Sequence, residues 1–403
     1  MITPAQRAIV SSTVPLLEQG GEALTTHFYK KLLAEHPEVR PFFNETHQAK
    51  GDQPRALANG VLMYAKNIDR LEAMGPLATQ IVNKHVALQV MPEHYPIVGG
   101  CLLRAIRDVL GAEVATDEVI DAWAAAYGQL ADILIGAEKQ LYDAQAAAPG
   151  GWRGAREFTV VRKVQESAEI ASFHFAPTDG GALMDFAPGQ YIGLLLRVDG
   201  KDIRRNYSLS AAPNGKTYRI SVKREPGGVA SNYLHDRVQV GNTLQLLPPS
   251  GEFVLAHSDR PVVLISGGVG ITPTLAMLEQ ALATEREVVF IHCARNGEVH
   301  AFREQVEAAA AHHPRLQRFY CYDEVTGDAS GDVKAESAPA PHAVGRLDLA
   351  RLTEWLPAHT RDVDAYFLGP KPFMQQVRRG LRAWGVPDAQ SRFEFFGPAS
   401  ALE

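Results

Sequence analysis

Three textures of apolar and polar positions follow one another along the chain. Up to residue 147, apolar residues recur at three- and four-residue spacing: in AIVSSTVPLLEQGGEALTTHFYKKLLAEHP (8–37), QPRALANGVLMYAKNI (53–68), LATQIVNKHVALQV (77–90) and VIDAWAAAYGQLADILIGAEKQLYDAQ (119–145). That spacing lays an apolar stripe along each of a series of helices. Pro37, Pro41, Pro92 and Gly111 punctuate the run. AAAPGGWRG (146–154) is small and glycine-rich and reads as a linker. From Glu157 the period drops to two, in FTVVRKV, IASFHFAP, QYIGLLLRV, TYRISVKRE and TLQLLPP, with turns such as PNGK and DGK between them. About six antiparallel strands of this kind suit a small barrel. Near Arg260 strands and helices begin to alternate: EVVFIHCARN, FREQVEAAAAHH, RFYCY, DLARLTEWL, DAYFLGP and PFMQQVRRGLRAWG. Alternation of that kind predicts a doubly wound parallel sheet. The polar, proline-bearing stretch 323–345 reads as a mobile surface loop. The expected architecture is all-α over 1–147, an antiparallel β-barrel over 148–258 and a doubly wound α/β domain over 259–403.

Composition narrows the function without naming it. The 403 residues are 46% apolar and carry a net charge of −6, which argues against a nucleic-acid surface. Cys101, Cys293 and Cys321 are far apart and lack metal-ligand spacing, so a disulfide framework, a zinc site and an iron–sulfur cluster are not expected. MITPAQRAIVSSTV has no basic segment followed by an apolar one, and no window is apolar enough to span a membrane. A reducing cytoplasm is the expected compartment. Each of the three domains looks self-contained, which makes a monomer the expectation. The helical part has the scale of a globin or a helical bundle.

The densest motif is VVLISGGVGITP (262–273), followed by the helical run TLAMLEQALA. It reads as a buried strand, a glycine turn through Gly267, Gly268, Val269 and Gly270, and a helix start at Ile271, Thr272 and Pro273. Glycines let backbone approach a phosphate, and the unbonded N–H groups of a helix start attract anions. The turn is not GxGxxG, so alone it reads as a nucleotide site or as a tight connection. Its neighbours decide. The barrel carries PGQY (188–191), RRNYSLS (204–210) and KREPGGVASNYLHD (223–236); the α/β part carries LGP (368–370) and EFFGP (394–398). In this order these motifs resemble the ferredoxin–NADP reductase superfamily. With the helical half in front, the whole chain resembles the flavohaemoglobins, the nitric oxide dioxygenase family of bacteria and yeast.

The resemblance gives roles to residues that are ambiguous alone. His85 shares a helix face with Ile81 and Leu88, while Lys84 lies off it. In isolation it reads as a hydrogen-bonded core histidine or as a ligand; the resemblance implies the proximal ligand of a b-type haem iron. Tyr95 and Glu138 then match its orienting partners, although Tyr95 also fits a core position and Glu138 a solvated helix face. A carboxylate behind the imidazole makes it more electron-donating. On the distal side the resemblance implies Tyr29, Gln53 and Leu57, with Phe43 packing on the haem. Gln53 and Leu57 lie four apart, so one helix face presents both. His36 and His47 receive no role.

In the reductase half, Arg205 and Tyr207 alternate with Asn206 and Ser208 along a strand. The resemblance implies Tyr207 against the flavin ring, Ser208 near its reactive nitrogen and Arg205 on the pyrophosphate, with Tyr191 a further flavin contact. Gly227, Gly228, Ser231 and Asn232 form the turn and helix start expected to hold the FAD phosphates. Gly369 and Pro370 border the nicotinamide site. Phe396 matches the C-terminal aromatic that covers the flavin, followed by Gly397, with Glu394 the nearby acid. Three positions depart from the family: Leu368 replaces its cysteine, Asn206 its glutamine and Ala230 its valine. The resemblance leaves NADH against NADPH open, with Arg295 and Arg303 as cations that either meet a 2′-phosphate or stand solvated.

The implied activity uses haem b, FAD and NADH or NADPH to convert nitric oxide and O2 to nitrate. Rival readings are an O2 store or sensor, a reductase serving an external acceptor, and reduction of hydroperoxides or anaerobic reduction of NO. A lipid or hydroperoxide is a further candidate ligand of the distal pocket.

Overall fold

The computed structural model describes residues 2–43, 51–324, 340–397 and 402, without the side chains of Asp52 and Pro76. His47 and Pro398 lie outside them, as does 325–339 of the expected loop. The helical part comprises α1 (Pro4–Ser12), α2 (Val14–Glu35), α3 (Asp52–Lys66), α4 (Gly75–Leu88), α5 (His94–Leu110) and α6 (Asp117–Ala147). Local chemistry sets several of their ends. Thr3 and Gln6 close a capping box on α1. Thr116 caps α6, whose first turn holds Asp117 and Glu118 against the positive end of the helix dipole. Gln89 ends α4 in the left-handed conformation.

The antiparallel sheet runs β4 (Lys201–Ser208), β3 (Tyr191–Val198), β6 (Thr243–Leu246), β1 (Arg156–Gln165), β2 (Ile170–Pro177), β5 (Tyr218–Lys223) in spatial order. Just past β4, Leu209 bridges to Ile220 of β5. The outer strands therefore meet, and the expected barrel closes. A short helix, α7 (Val229–Arg237), follows β5. Gly189 in the PGQY turn has φ +107°, and a Cβ there would lie 1.9 Å from the Phe253 carbonyl oxygen; the turn tolerates no side chain.

The second sheet is parallel throughout. It comprises β7 (Val262–Gly267), β8 (Val288–Ala294), β9 (Leu316–Tyr322), β10 (Ala343–Val344), β11 (Asp364–Leu368) and β12 (Ser391–Phe393), in the order β10-β9-β8-β7-β11-β12. Both faces are covered, as parallel sheets require. Val262 and Leu264 face one core with α8 (Ile271–Leu282) and α9 (Arg303–His312). Val263 and Ile265 face the other, with α10 (Leu349–Trp355) and α11 (Lys371–Trp384). One expectation is corrected at the end of the presumed loop. Ala343–Val344 is a strand, because His342 and Gly345 N–H groups donate to the carbonyls of Tyr320 and Tyr322.

The chain divides into two compact units: 1–154 with 195–205 and 396–401, and 155–194 with 206–395 and 402–403. In the second, Asp364 is completely buried at the start of β11. It accepts from the Ser258 hydroxyl, from Arg286 Nη2 at 2.7 Å and from Arg392 Nη1 at 3.1 Å. Burial raises its carboxyl, but the Ser258 bond and the Arg392 and Arg286 charges outweigh it and hold the group below its ordinary value. Replacing Arg286 with alanine strands this carboxylate. The expected loss is about 3 kcal/mol, read as a shift in the urea unfolding of this unit at pH 7. A depressed carboxyl contributes fully above its unfolded value, near about 3.9, and loses its contribution as pH falls through the folded value. Arg286→Ala and the parent chain should therefore begin to converge in stability below about pH 4 and meet only once pH has fallen below the folded value.

Candidate functional site

The helical unit contains a buried acid. Glu138 is 2% exposed, and a carboxylate removed from water needs partners. Helix α6 holds it on a face with Leu134 and Tyr142, four residues to either side. Its Oε1 accepts from Tyr95 Oη at 2.6 Å and lies 2.7 Å from His85 Nδ1, while Tyr95 Oη is 3.1 Å from the same nitrogen. Helices α4, α5 and α6 thus bring His85, Tyr95 and Glu138 together. Burial, then the hydrogen bond and charge of Glu138, push the Tyr95 hydroxyl far above its ordinary value, so it stays a donor. With Nδ1 engaged by Glu138, the imidazole has Nε2 left to act as a ligand.

Two residues of this network escaped the sequence reading. Tyr127 Oη donates to the Tyr95 carbonyl at 2.7 Å, and Tyr142 Oη to the Val90 carbonyl at 2.8 Å. Gly99 makes room for the first, since a Cβ there would lie 2.5 Å from the Tyr127 ring. The signal was present in part: Tyr142 shares the Glu138 face at i+4 spacing. The Gly99–Tyr127 approach is tertiary and leaves no local trace.

Tyr29 is 7% exposed on α2, between Phe28 and Phe43, whose ring centroids lie 4.8 and 5.5 Å away. Burial pushes its hydroxyl well above the ordinary value, and a hydrogen bond with the Gln53 side chain partly opposes this. Gln53 and Leu57 are both half-buried on α3, and Leu57 and Phe43 pack on the same core. Among the described residues, Tyr29 and Tyr95 lie in two apolar clusters of this unit, which share Tyr127 and Leu130. A single domain ordinarily has one contiguous core. Two clusters beside a partly exposed His85 side chain (31%) fit a flat apolar macrocycle, which His85 could hold.

On the barrel, Tyr191 is buried with its ring against Gly251, where a Cβ would come within 2.7 Å. Burial, then the charges of Glu394 and Glu252, raise its hydroxyl far above the ordinary range. Arg205 and Tyr207 are half-buried, Asn206 is exposed and Ser208 is buried; the boundary between the units falls between Arg205 and Asn206. Gly227 takes φ +72°, and Gly228 caps α7. Ser231 Oγ accepts from the Glu225 N–H at 3.1 Å, and Asn232 Nδ2 donates to the Glu225 carbonyl at 3.2 Å. Both side chains brace the turn. What the turn can offer an anion is backbone N–H at the helix start.

In the α/β domain the glycine turn is a 3-10 helix, Gly268–Gly270, leading into α8. Gly268 is exposed with φ +56°. Gly267 and Gly270 serve packing: Cβ atoms there would meet the Phe373 ring at 3.1 Å and the Leu368 carbonyl oxygen at 2.5 Å. Gly369 is likewise pressed on Phe373 at 2.6 Å. Pro370 caps α11. Ile271, Thr272 and Pro273 are buried and Val269 is half-buried, so this segment meets a ligand mainly through backbone. Leu368 is 1% exposed and packs in the core beside α8. Phe396 is half-exposed and, with Gly397, belongs to the helical unit, where Lys84 Nζ donates to the Gly397 carbonyl at 2.8 Å. Glu394 belongs to the other unit. Arg295 is exposed and pairs with Glu169, while Arg303 is half-buried and its Nη1 donates to Tyr322 Oη at 2.9 Å.

Fold and site define a globin joined to a flavin- and nicotinamide-dependent reductase. Residues 26–134 match the globin family, 157–255 the oxidoreductase FAD-binding domain and 264–379 the oxidoreductase NAD-binding domain. The chain is 66% identical to the flavohemoprotein of Pseudomonas putida and 61% to that of Pseudomonas aeruginosa, each over the whole of both chains. Among solved structures it is similar to the Malassezia yamatoensis flavohemoglobin with bound FAD and heme (TM-score 0.82, 28% identity, 98% of this chain and 100% of that one). It is also similar to the FAD/NAD-binding domain of the Vibrio cholerae nitric oxide dioxygenase (TM-score 0.53, 38% identity, 61% of this chain and 100% of that one). The chain belongs to the flavohemoprotein family and is an oxidoreductase. Among the described residues no helix is long and apolar enough to cross a membrane.

The buried carboxylate yields a direct test. Glu138→Gln keeps the shape and removes the charge behind His85. Losing such a partner typically costs about 10- to 100-fold in metal affinity or activity. In the haem-loaded variant the iron–histidine stretch in resonance Raman should fall in frequency, with the helical content unchanged by circular dichroism.

Proposed function

We propose that the chain is an NAD(P)H-driven nitric oxide dioxygenase that detoxifies nitric oxide by converting it, with O2, to nitrate. The observation that carries this reading is the Glu138–His85 pair in a unit that also buries Tyr29, on a chain with its own reductase. Storage of O2 needs neither a charged carboxylate behind the ligand nor continual re-reduction. The cofactors supply the electron chemistry: hydride from the nicotinamide, single electrons from FAD and dioxygenation at the haem iron. The protein supplies position and electrostatics. His85 Nε2 holds the iron, and Glu138 fixes the ring by holding the Nδ1 proton. Tyr95 keeps that carboxylate in place. Tyr29, beside Gln53, would offer its proton to a small oxygen-containing ligand as negative charge develops there. Phe43 and Leu57 exclude water around it.

In the reductase, Tyr191, Tyr207 and Ser208 receive the flavin ring, and Arg205 and the Gly227–Asn232 turn receive its phosphates. The Gly267–Pro273 segment, with Gly369 and Pro370, receives the nicotinamide nucleotide, with Glu394 and Phe396 in the roles that the family resemblance implies. In this reading the domains are 1–147, 148–258 and 259–403. The enzyme acts as a monomer in the cytoplasm, in keeping with its three unbridged cysteines.

The deciding experiment supplies NADH and nitric oxide to the haem- and FAD-loaded chain in aerated buffer and assays nitrate. Nitric oxide should disappear and return as nitrate. NADH oxidation with persistent nitric oxide would instead favour an external electron acceptor or hydroperoxide reduction. Tyr29→Phe should slow nitric oxide consumption by about 100-fold while leaving FAD reduction by NADH unchanged; equal consumption by the variant would refute the role of Tyr29.

A further inference from the structure

Strands β7, β8 and β9 end together, and their rungs at that edge are in register: Gly267 pairs with Cys293, and Cys293 with Cys321. Registered neighbours on parallel strands point to the same face and stand about 4.8 Å apart. That separation lies inside the Cα window of a disulfide, roughly 4.4–6.8 Å. Both cysteines belong to the core under α10 and α11, and neither is bridged. Their thiols share a hydrogen bond, and Cys321 Sγ passes one on to the Gly345 carbonyl at 2.9 Å. Cys293 is half-buried, whereas Cys321 is 1% exposed. The shared bond, then burial, raises the Cys293 thiol; the same bond, against burial and with help from Arg351, holds Cys321 below its ordinary value. The remaining cysteine, Cys101, is fully buried in the other unit, where Arg104 Nη2 donates to its sulfur.

We propose that Cys293 and Cys321 form a modification site, a dithiol that a hydroperoxide converts reversibly to a disulfide and that, once closed, weakens nicotinamide nucleotide binding. The Cys293 sulfur, giving up its proton, attacks one peroxide oxygen; the O–O bond breaks and hydroxide leaves, taking up that proton as water. The Cys321 sulfur then attacks the sulfenic acid; the S–S bond forms, the S–O bond breaks and a second water leaves. Two thiols and one hydrogen peroxide give one disulfide and two waters. The effect on binding rests on the role proposed above for the Gly267–Gly270 turn. Cys293 pairs directly with Gly267, and closure removes the S–H that Cys321 gives to Gly345. Gly345 ties β10 to β9 through its own N–H to the Tyr322 carbonyl. In open α/β sheets ligands bind outside the carboxyl ends of the strands, which is where this rearrangement occurs.

The test treats the haem- and FAD-loaded full chain with hydrogen peroxide, quenches and denatures it, and counts thiols. The reduced chain has three; the oxidised chain should have one, Cys101, with a peptide map joining Cys293 to Cys321, and dithiothreitol should restore three. NAD+ affinity, measured by calorimetry, should fall about fivefold or more on oxidation and recover on reduction. Cys293→Ser and Cys293→Ala should show neither the cross-link nor the affinity change, and they carry the same haem, so any damage from haem and peroxide appears in all samples. Three surviving thiols, loss of thiols without the cross-link, or full cross-linking with unchanged affinity would each overturn the proposal. A reduced chain with no NAD+ affinity overturns the nucleotide reading of the turn, while the thiol count still judges the dithiol.

Discussion

A carboxylate buried inside a helical bundle constrains everything around it. Glu138 has lost its water and is compensated by one imidazole and one phenol. Each comes from a different helix, so α4, α5 and α6 are locked in mutual register by a single oxygen. The arrangement is worth more as orientation than as stability, because desolvation offsets much of the attraction in a buried pair. Its chemical result is an imidazole with one nitrogen spoken for and the other aimed away from the pair. The outer tyrosines extend the same logic: Tyr127 fixes the backbone of Tyr95, and Gly99 exists to let it approach.

The reductase uses a different economy, in which backbone does what side chains do in the globin. The glycine turn after β7 is pressed against the junction of β11 and α11, and the absent side chains of Gly267, Gly270 and Gly369 are what permit the approach. The Gly227 turn is braced by Ser231 and Asn232 from within. Both segments keep N–H groups at a helix start, and neither needs a charged side chain to favour an anion. At the far end of the same parallel sheet, Asp364 gathers Ser258, Arg286 and Arg392. That network holds the strand starts, so the functional ends stand on a rigid base.

Much of this was legible beforehand, and the reasons differ by element. The helical half is read from period 3.6, the barrel from period 2, and the parallel sheet from alternation, because burying one face imposes those periods on the residues themselves. The resemblance supplied the candidate partners of His85. By itself the sequence left Glu138 equally suited to a solvated helix face, because a lone carboxylate carries no mark of burial. Strand β10 was not legible: two residues in a polar stretch carry no period, and the strand exists only because β9 offers it unpaired carbonyls. Nor did the sequence distinguish a glycine required by packing, as at Gly270, from one required by backbone conformation, as at Gly268.

Sequence alone thus determined the order of three architectures and the family motifs along them, since periodicity and motif spacing are properties of the chain. Tertiary structure decided which groups meet. His85 and Glu138 are 53 residues apart, Cys293 and Cys321 nearly 30, and Arg295 and Glu169 more than 120. None of these pairs is marked by local pattern. Each arises where helix packing or strand register brings distant positions within bonding distance, because burial and hydrogen bonding depend on neighbours in space and not along the chain.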